Sequence, residues 1–192
     1  MIYLRKFNES RSDIDSVCKE YGIKNYNIDS EGRVNVFAQD VDLSRKNLKK
    51  LPLKFGKVMG NFYCDSNQLE TLEGAPISVL LDFDCSSNKL SNLDGCPKYV
   101  GKGFFCSDNN LTSLENSPEG SLVYYCLNNN IKNLQGLNTK TINVLSLKGN
   151  PIYKWWNLVN DVKKLNDFIE LGIDSNDPDF IKKKNMKKIK MT

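Results

Sequence analysis

The chain has 192 residues, 40% of them hydrophobic and 26% charged, with six cysteines, no histidine and a formal net charge of +4. That length suits one domain of moderate core or a short repeat array. Lack of histidine excludes Ser-His-Asp and Cys-His catalysis, imidazole general-base chemistry and any zinc site with an imidazole ligand.

At the N-terminus, Met1 to Asn8 carries charges where a signal peptide needs its apolar stretch. No apolar run approaches the ~20 residues of a membrane helix. These features point to a soluble, intracellular chain with reduced thiols. Ser12 precedes Ile14, Val17, Cys18 and Tyr21, spaced i, i+3, i+4 and i+7, and Gly22 follows. This predicts an amphipathic helix. Tyr26–Ile28 and Val34–Phe37, around Ser30-Glu31-Gly32, predict a hairpin. Residues 1–38 thus read as an N-terminal helix-and-hairpin cap.

Residues 39–153 repeat. Cys64, Cys85, Cys106 and Cys126 lie 21, 21 and 20 residues apart, and the same step reaches Leu43 and Leu147. Two residues before each stand Val41, Phe62, Phe83, Phe104, Tyr124 and Leu145. Three after stand Lys46 and then Asn67, Asn88, Asn109, Asn129 and Asn150. Leucine or isoleucine recurs five after, and leucine eight after until Trp155, while Pro76, Pro97 and Pro118 recur at twelve. The unit, apolar-x-Cys-x-x-Asn-x-Leu-x-x-Leu, is a leucine-rich-repeat pattern. Period-two apolar residues make a short parallel strand with one inward face, and asparagine at the strand exit can bond the backbone of two coils. A unit this short leaves its outer side extended or 3₁₀. The expected fold is an α/β solenoid of about six 21-residue repeats with short parallel strands.

After Pro151, Trp155, Trp156, Leu158, Val159, Val162, Leu165, Phe168 and Ile169 follow at helical spacing and Gly172 ends them, so 154–173 reads as a C-terminal capping helix. Residues 174–192 form a Lys-rich helix or tail. Lys182, Lys183, Lys184, Lys187, Lys188 and Lys190 fall in the last eleven residues; without them the chain holds 21 basic against 23 acidic side chains. The positive charge is therefore a basic tail on a mildly acidic body. Such a run is most often a solvated end. Nucleic acid or an anionic membrane is expected to bind, if at all, only there.

The unit from Gly60 to Pro76 (GNFYCDSNQLETLEGAP) and the segment Phe83-Asp84-Cys85-Ser86-Ser87-Asn88-Lys89-Leu90 resemble small leucine-rich-repeat proteins common in tailed bacteriophages. The lead-in Val41-Asp42-Leu43-Ser44 and Leu51 to Val58 match as well, and the resemblance runs over residues 13 to 170, the Lys-rich tail departing from it. It implies a solenoid that binds by surface display, and the family has no catalytic motif to transfer.

Metal ligands must converge on one point, whereas the cysteine ladder places one thiol per strand, about 4.8 Å apart. The thiols read as small core hydrophobes, and no metal or cofactor is expected. Cys96, off the ladder between Gly95 and Pro97, reads as the more exposed thiol. The residues flanking each ladder position face outward. One column reads Asp42, Tyr63, Asp84, Phe105, Tyr125 and Ser146; the next reads Ser44, Asp65, Ser86, Ser107, Leu127 and Lys148, with Asp40, Asp82 and Asp108 beside them. Exposed aromatics on strands also follow from β-propensity alone. Their single column nevertheless makes Tyr63, Phe105, Tyr125 and Leu127, with Asp42, Asp65, Asp82, Asp84 and Asp108, the candidate binding patch on a concave sheet. The acids predict a protein partner with a basic face. A structural or virion-associated component is the alternative role, and catalysis is not expected.

Overall fold

The structure is a computed structural model that describes residues 10–134, 137 and 141–153. The expected C-terminal helix and the Lys-rich tail, including Lys182, Lys183, Lys184, Lys187 and Lys188, lie outside the described residues.

The first element, α1 (Arg11–Glu20), is capped by Ser10 rather than by Ser12. Asp13 stands three residues after Ser10, so the hydroxyl accepts from the Asp13 N–H at 3.3 Å while the Asp13 carboxylate accepts from the Ser10 N–H at 3.1 Å. This reciprocal pair satisfies two helix-start donors. Ile14 and Cys18 form the buried side of α1. A hairpin follows, β1 (Tyr26–Ile28) antiparallel to β2 (Val34–Val36). Asp29 closes its turn by accepting from the N–H groups of Glu31 and Arg33, each at 2.9 Å.

From β2 onward the chain winds as a parallel β-solenoid of about five turns. One sheet continues in parallel from β2 through β4 (Phe55–Val58), β6 (Ser78–Val79) and β8 (Tyr99–Val100). The other holds β3 (Val41–Asp42), β5 (Phe62–Tyr63), β7 (Phe83–Asp84), β9 (Gly103–Phe105), β10 (Val123–Tyr125) and β11 (Val144–Ser146), all parallel. Pairing joins Val41 to Phe62, Phe62 to Phe83, Phe83 to Phe104, Phe104 to Tyr124 and Tyr124 to Leu145. Every column therefore stacks on itself.

The sequence reading expected an α/β solenoid. Among the described elements the only helix is α1, and the outer arm of the coil is a second β-sheet. Its strands are only two to four residues long, and one or two apolar residues per strand are too few to show a period. Among the described residues no helix is long and apolar enough to cross a membrane.

Both sheets feed one core. The rings of Phe62, Phe83 and Phe104 stack at 5.7 and 6.1 Å, Tyr124 meets Phe104 edge-on at 5.3 Å, and Phe55 of the other sheet meets Phe62 at 5.0 Å. Leu43, Cys64, Cys85, Cys106, Cys126 and Leu147 are wholly buried alongside. Burial pushes the thiols of Cys64, Cys85 and Cys106 well up from their ordinary range. Cys96, expected to be exposed, is half-buried against the core, and burial raises its thiol too.

Candidate partner-binding face

Two ladders of polar side chains join coil to coil and fix the outward face of the sheet that runs from β3 to β11. The first is the asparagine column. Asn88 accepts from the Leu69 N–H of the preceding coil at 2.9 Å, and donates to the Cys64 carbonyl of that coil at 3.0 Å and to its own Cys85 carbonyl at 3.1 Å. Asn67, Asn109, Asn129 and Asn150 make the equivalent bonds. The second ladder lies three residues before the cysteine position. Asp40 accepts from the Asn61 N–H at 2.7 Å, Asn61 from the Asp82 N–H at 3.0 Å, and Asp82 from the Gly103 N–H at 2.8 Å.

Between these ladders Tyr63, Asp84, Phe105 and Tyr125 stand in a row on β5, β7, β9 and β10, pointing away from the core. Phe105 and Tyr125 are neighbours whose rings stack at 5.5 Å and 9°. Gly103 makes this possible: a Cβ there would lie 2.6 Å from the Phe105 ring, which therefore folds down over its own strand. Leu127, half-buried, follows one residue beyond Cys126. Tyr63 belongs to a different neighbourhood, because the β7 strand with Asp84 separates it from Phe105. The face is thus graded, with carboxylates around Tyr63 at one end and paired rings at the other.

Electrostatics follow that gradient. Burial, and then the carboxylates of Asp40, Asp82, Asp84 and Asp42, raise the Tyr63 hydroxyl. Burial also raises the Asp84 carboxyl, against the Ser86 hydrogen bonds that favour its charge, and Asp65 and Asp82 push it the same way. Asp42 goes the other way: the Ser44 hydroxyl and N–H hold its carboxyl low.

The acids that the sequence placed as a rim have structural duties as well. Asp82 holds the Gly103 N–H at 2.8 Å, Asp84 the Ser86 N–H at 2.8 Å, and Asp108 the Asn128 side chain at 2.8 Å. Asp65 accepts from the Ser66 hydroxyl at 2.9 Å. Each such carboxylate keeps negative charge on the face while spending one lone pair on the fold. Among the described residues none of these acids forms an ion pair with a lysine or arginine.

One feature of the surface escaped the sequence reading. Apart from Tyr125 and Val144 of β11, the most exposed large apolar side chains lie not on this face but on the corner and the second sheet, with Leu80 at 54% and Met59 at 50% exposure. Their column, five residues before the cysteine position, also holds Gly101 and the buried Ser121 and Ile142, and that mixture hid it. Among the described residues no group of three His, Cys, Asp or Glu side chains could hold a metal ion.

Compared with protein-family models, with curated proteins and with solved structures, the chain matches none.

Proposed function

We propose that this protein is a non-catalytic protein-binding module that engages a partner with a basic face through the outward side of the β3–β11 sheet. The observation that carries the reading is the stacked Phe105–Tyr125 pair, with Leu127 one residue beyond Cys126, on a face whose other end carries carboxylates that form no ion pair among the described residues. Rigid aromatic rings supply contact area at small entropic cost, and the carboxylates steer a cationic partner to them. The coil is read as a leucine-rich-repeat unit of 21 residues repeated about six times, with the helix and hairpin as its N-terminal cap and residues 154–173 as its C-terminal cap. The asparagine ladder and the leucine columns support that reading. The resemblance to small phage-encoded repeat proteins makes a host or viral protein in the infected cytoplasm the expected partner.

Affinity capture from infected cells, with wild type beside a Tyr63→Ala/Phe105→Ala/Tyr125→Ala variant, tests this. A partner retained by wild type and lost from the triple variant, with circular dichroism unchanged, is the expected result. Equal capture by both would end the proposal for this face. The alternative, a structural component of a larger assembly such as a virion, is favoured by the exposed apolar side chains away from the face and predicts co-purification with particles.

A further inference from the structure

We propose that the outward side of the β3–β11 sheet takes an extended peptide laid across the strands, its arginine seated on Tyr63 and an apolar side chain four residues away seated on the Phe105–Tyr125 pair. This rests on the function proposed above and adds the partner's chemistry and spacing. In the outward row Tyr63 of β5 stands between Asp42 of β3 and Asp84 of β7. The carboxylates of Asp40, Asp82, Asp84 and Asp42 all act on its hydroxyl. Among the described residues none of the four forms an ion pair. A cation over the Tyr63 ring meets the negative face of the π-system, with a carboxylate one strand away, about 4.8 Å, on either side. Arginine suits this place better than lysine, because its planar guanidinium stacks on a ring and presents donors in two directions at once. The Ser44 N–H and hydroxyl both donate to Oδ1 of Asp42, at 2.9 and 2.6 Å, so Oδ2 is the atom a guanidinium would take. Arg45 and Lys46 favour the Asp42 charge from outside ion-pair reach.

The second anchor is apolar. The Phe105 and Tyr125 rings stack at 5.5 Å. Val123 points the same way as Tyr125 from β10, and Val144, 43% exposed, continues the apolar surface onto β11. The strand order β5, β7, β9, β10 places Phe105 two steps and Tyr125 three steps from Tyr63. At about 4.8 Å per step, the rings lie about 9.6 and 14.4 Å along the stack from the tyrosine. An extended segment advances about 3.3 Å per residue and shows alternate side chains to one side. Residues two apart are then about 6.6 Å from each other and residues four apart about 13 Å. The longer distance falls on the ring pair, whereas the shorter one falls between Asp84 and Phe105. A side chain three residues away points off the face. The Asp84 strand, set between the tyrosine and the ring pair, therefore acts as a spacer that selects the interval of four.

Synthetic serine-threonine nonapeptides carrying one arginine and one leucine test the spacing. They are titrated into the isotope-labelled full chain at physiological salt, and backbone amide NMR shifts are followed. With the two residues four apart, one of the two orders is expected to bind about fivefold or more tighter than either order at spacings of two or three. The shifts are expected on β5, β9 and β10. Lysine in place of the arginine should weaken binding about threefold, and glutamine should abolish it. Tyr63→Ala is expected to erase the preference for arginine over glutamine, and Phe105→Ala/Tyr125→Ala the preference for leucine over serine. Equal binding at every spacing, or no shift with any peptide, would overturn the proposal. Should a variant lose its circular dichroism signal, the peptide series on the wild type decides alone. Failure here and failure of the function proposed above look different. A partner lost from Tyr63→Ala/Phe105→Ala/Tyr125→Ala while peptides of every spacing bind alike ends the spacing only, and equal capture with no peptide bound ends both.

Discussion

Asp84 illustrates how much a single position can carry. Its carboxyl accepts from the Ser86 N–H, stands between Tyr63 and Phe105 in the outward row, and is raised by burial. The fold thus favours the neutral acid relative to the unfolded chain, whose value is about 3.9. The stability it contributes is fully present below that unfolded value and is lost as pH rises through the higher folded one. Asp84→Asn keeps the acceptor for Ser86 and removes the charge. The variant should match wild type in thermal midpoint near pH 3 and exceed it near pH 7, as differential scanning calorimetry can show. A variant less stable than wild type at neutral pH would mean that the charge is compensated. The sequence shows Asp84 as an outward acid, but not its burial, because burial comes from side chains about twenty residues away in either direction.

The coil is held at the level of elements by side chains as much as by the strands, which are only two or three residues long in the β3–β11 sheet. Asn109 shows the arrangement: it accepts from the Leu90 N–H at 3.0 Å and donates to carbonyls of Cys85, Cys106 and Ser107 at 3.0 to 3.2 Å. The turn it braces puts Arg45, Ser66, Ser87, Asp108 and Asn128 in the left-handed region, at φ between 50° and 57°, a conformation that costs a non-glycine residue about 1 kcal/mol or more. Removing the amide leaves a buried N–H and carbonyls without partners. Asn109→Ala should therefore lower stability by about 3 kcal/mol in urea unfolding, far beyond an average surface change. A loss within experimental error would show that water replaces the amide. The asparagine column was legible in the sequence, with its role in the backbone. The second ladder, Asp40-Asn61-Asp82, was not, because it changes residue type at each step and ends on Gly103, which has no side chain.

For the whole molecule the governing fact is that each coil rests only on its neighbours, so stability is close to a sum over coils and their contacts. Deleting residues 86–106 removes 21 residues and joins Cys85 to Ser107, which restores every column. That variant should still fold, with the same circular dichroism shape, a lower urea midpoint and a smaller m-value in keeping with the smaller surface exposed. Deleting residues 86–96 instead breaks the register and should leave an unfolded chain. Equal behaviour of the two deletions would contradict a stack of interchangeable coils.

Coil length, the inward and outward columns and the asparagine brace are legible in the amino-acid order, because each of these is a period, and a period is written along the chain. The same order located Tyr63, Phe105, Tyr125 and their neighbouring acids on one outward side. The packing of coil on coil made the outer arm a second sheet and paired Phe105 with Tyr125, leaving Tyr63 among carboxylates. It also left Met59 and Leu80 exposed on the corner ahead of the β3–β11 sheet. Those outcomes depend on which side chain lies one coil above another and how much space a glycine leaves there, and such contacts exist only after the coils are stacked.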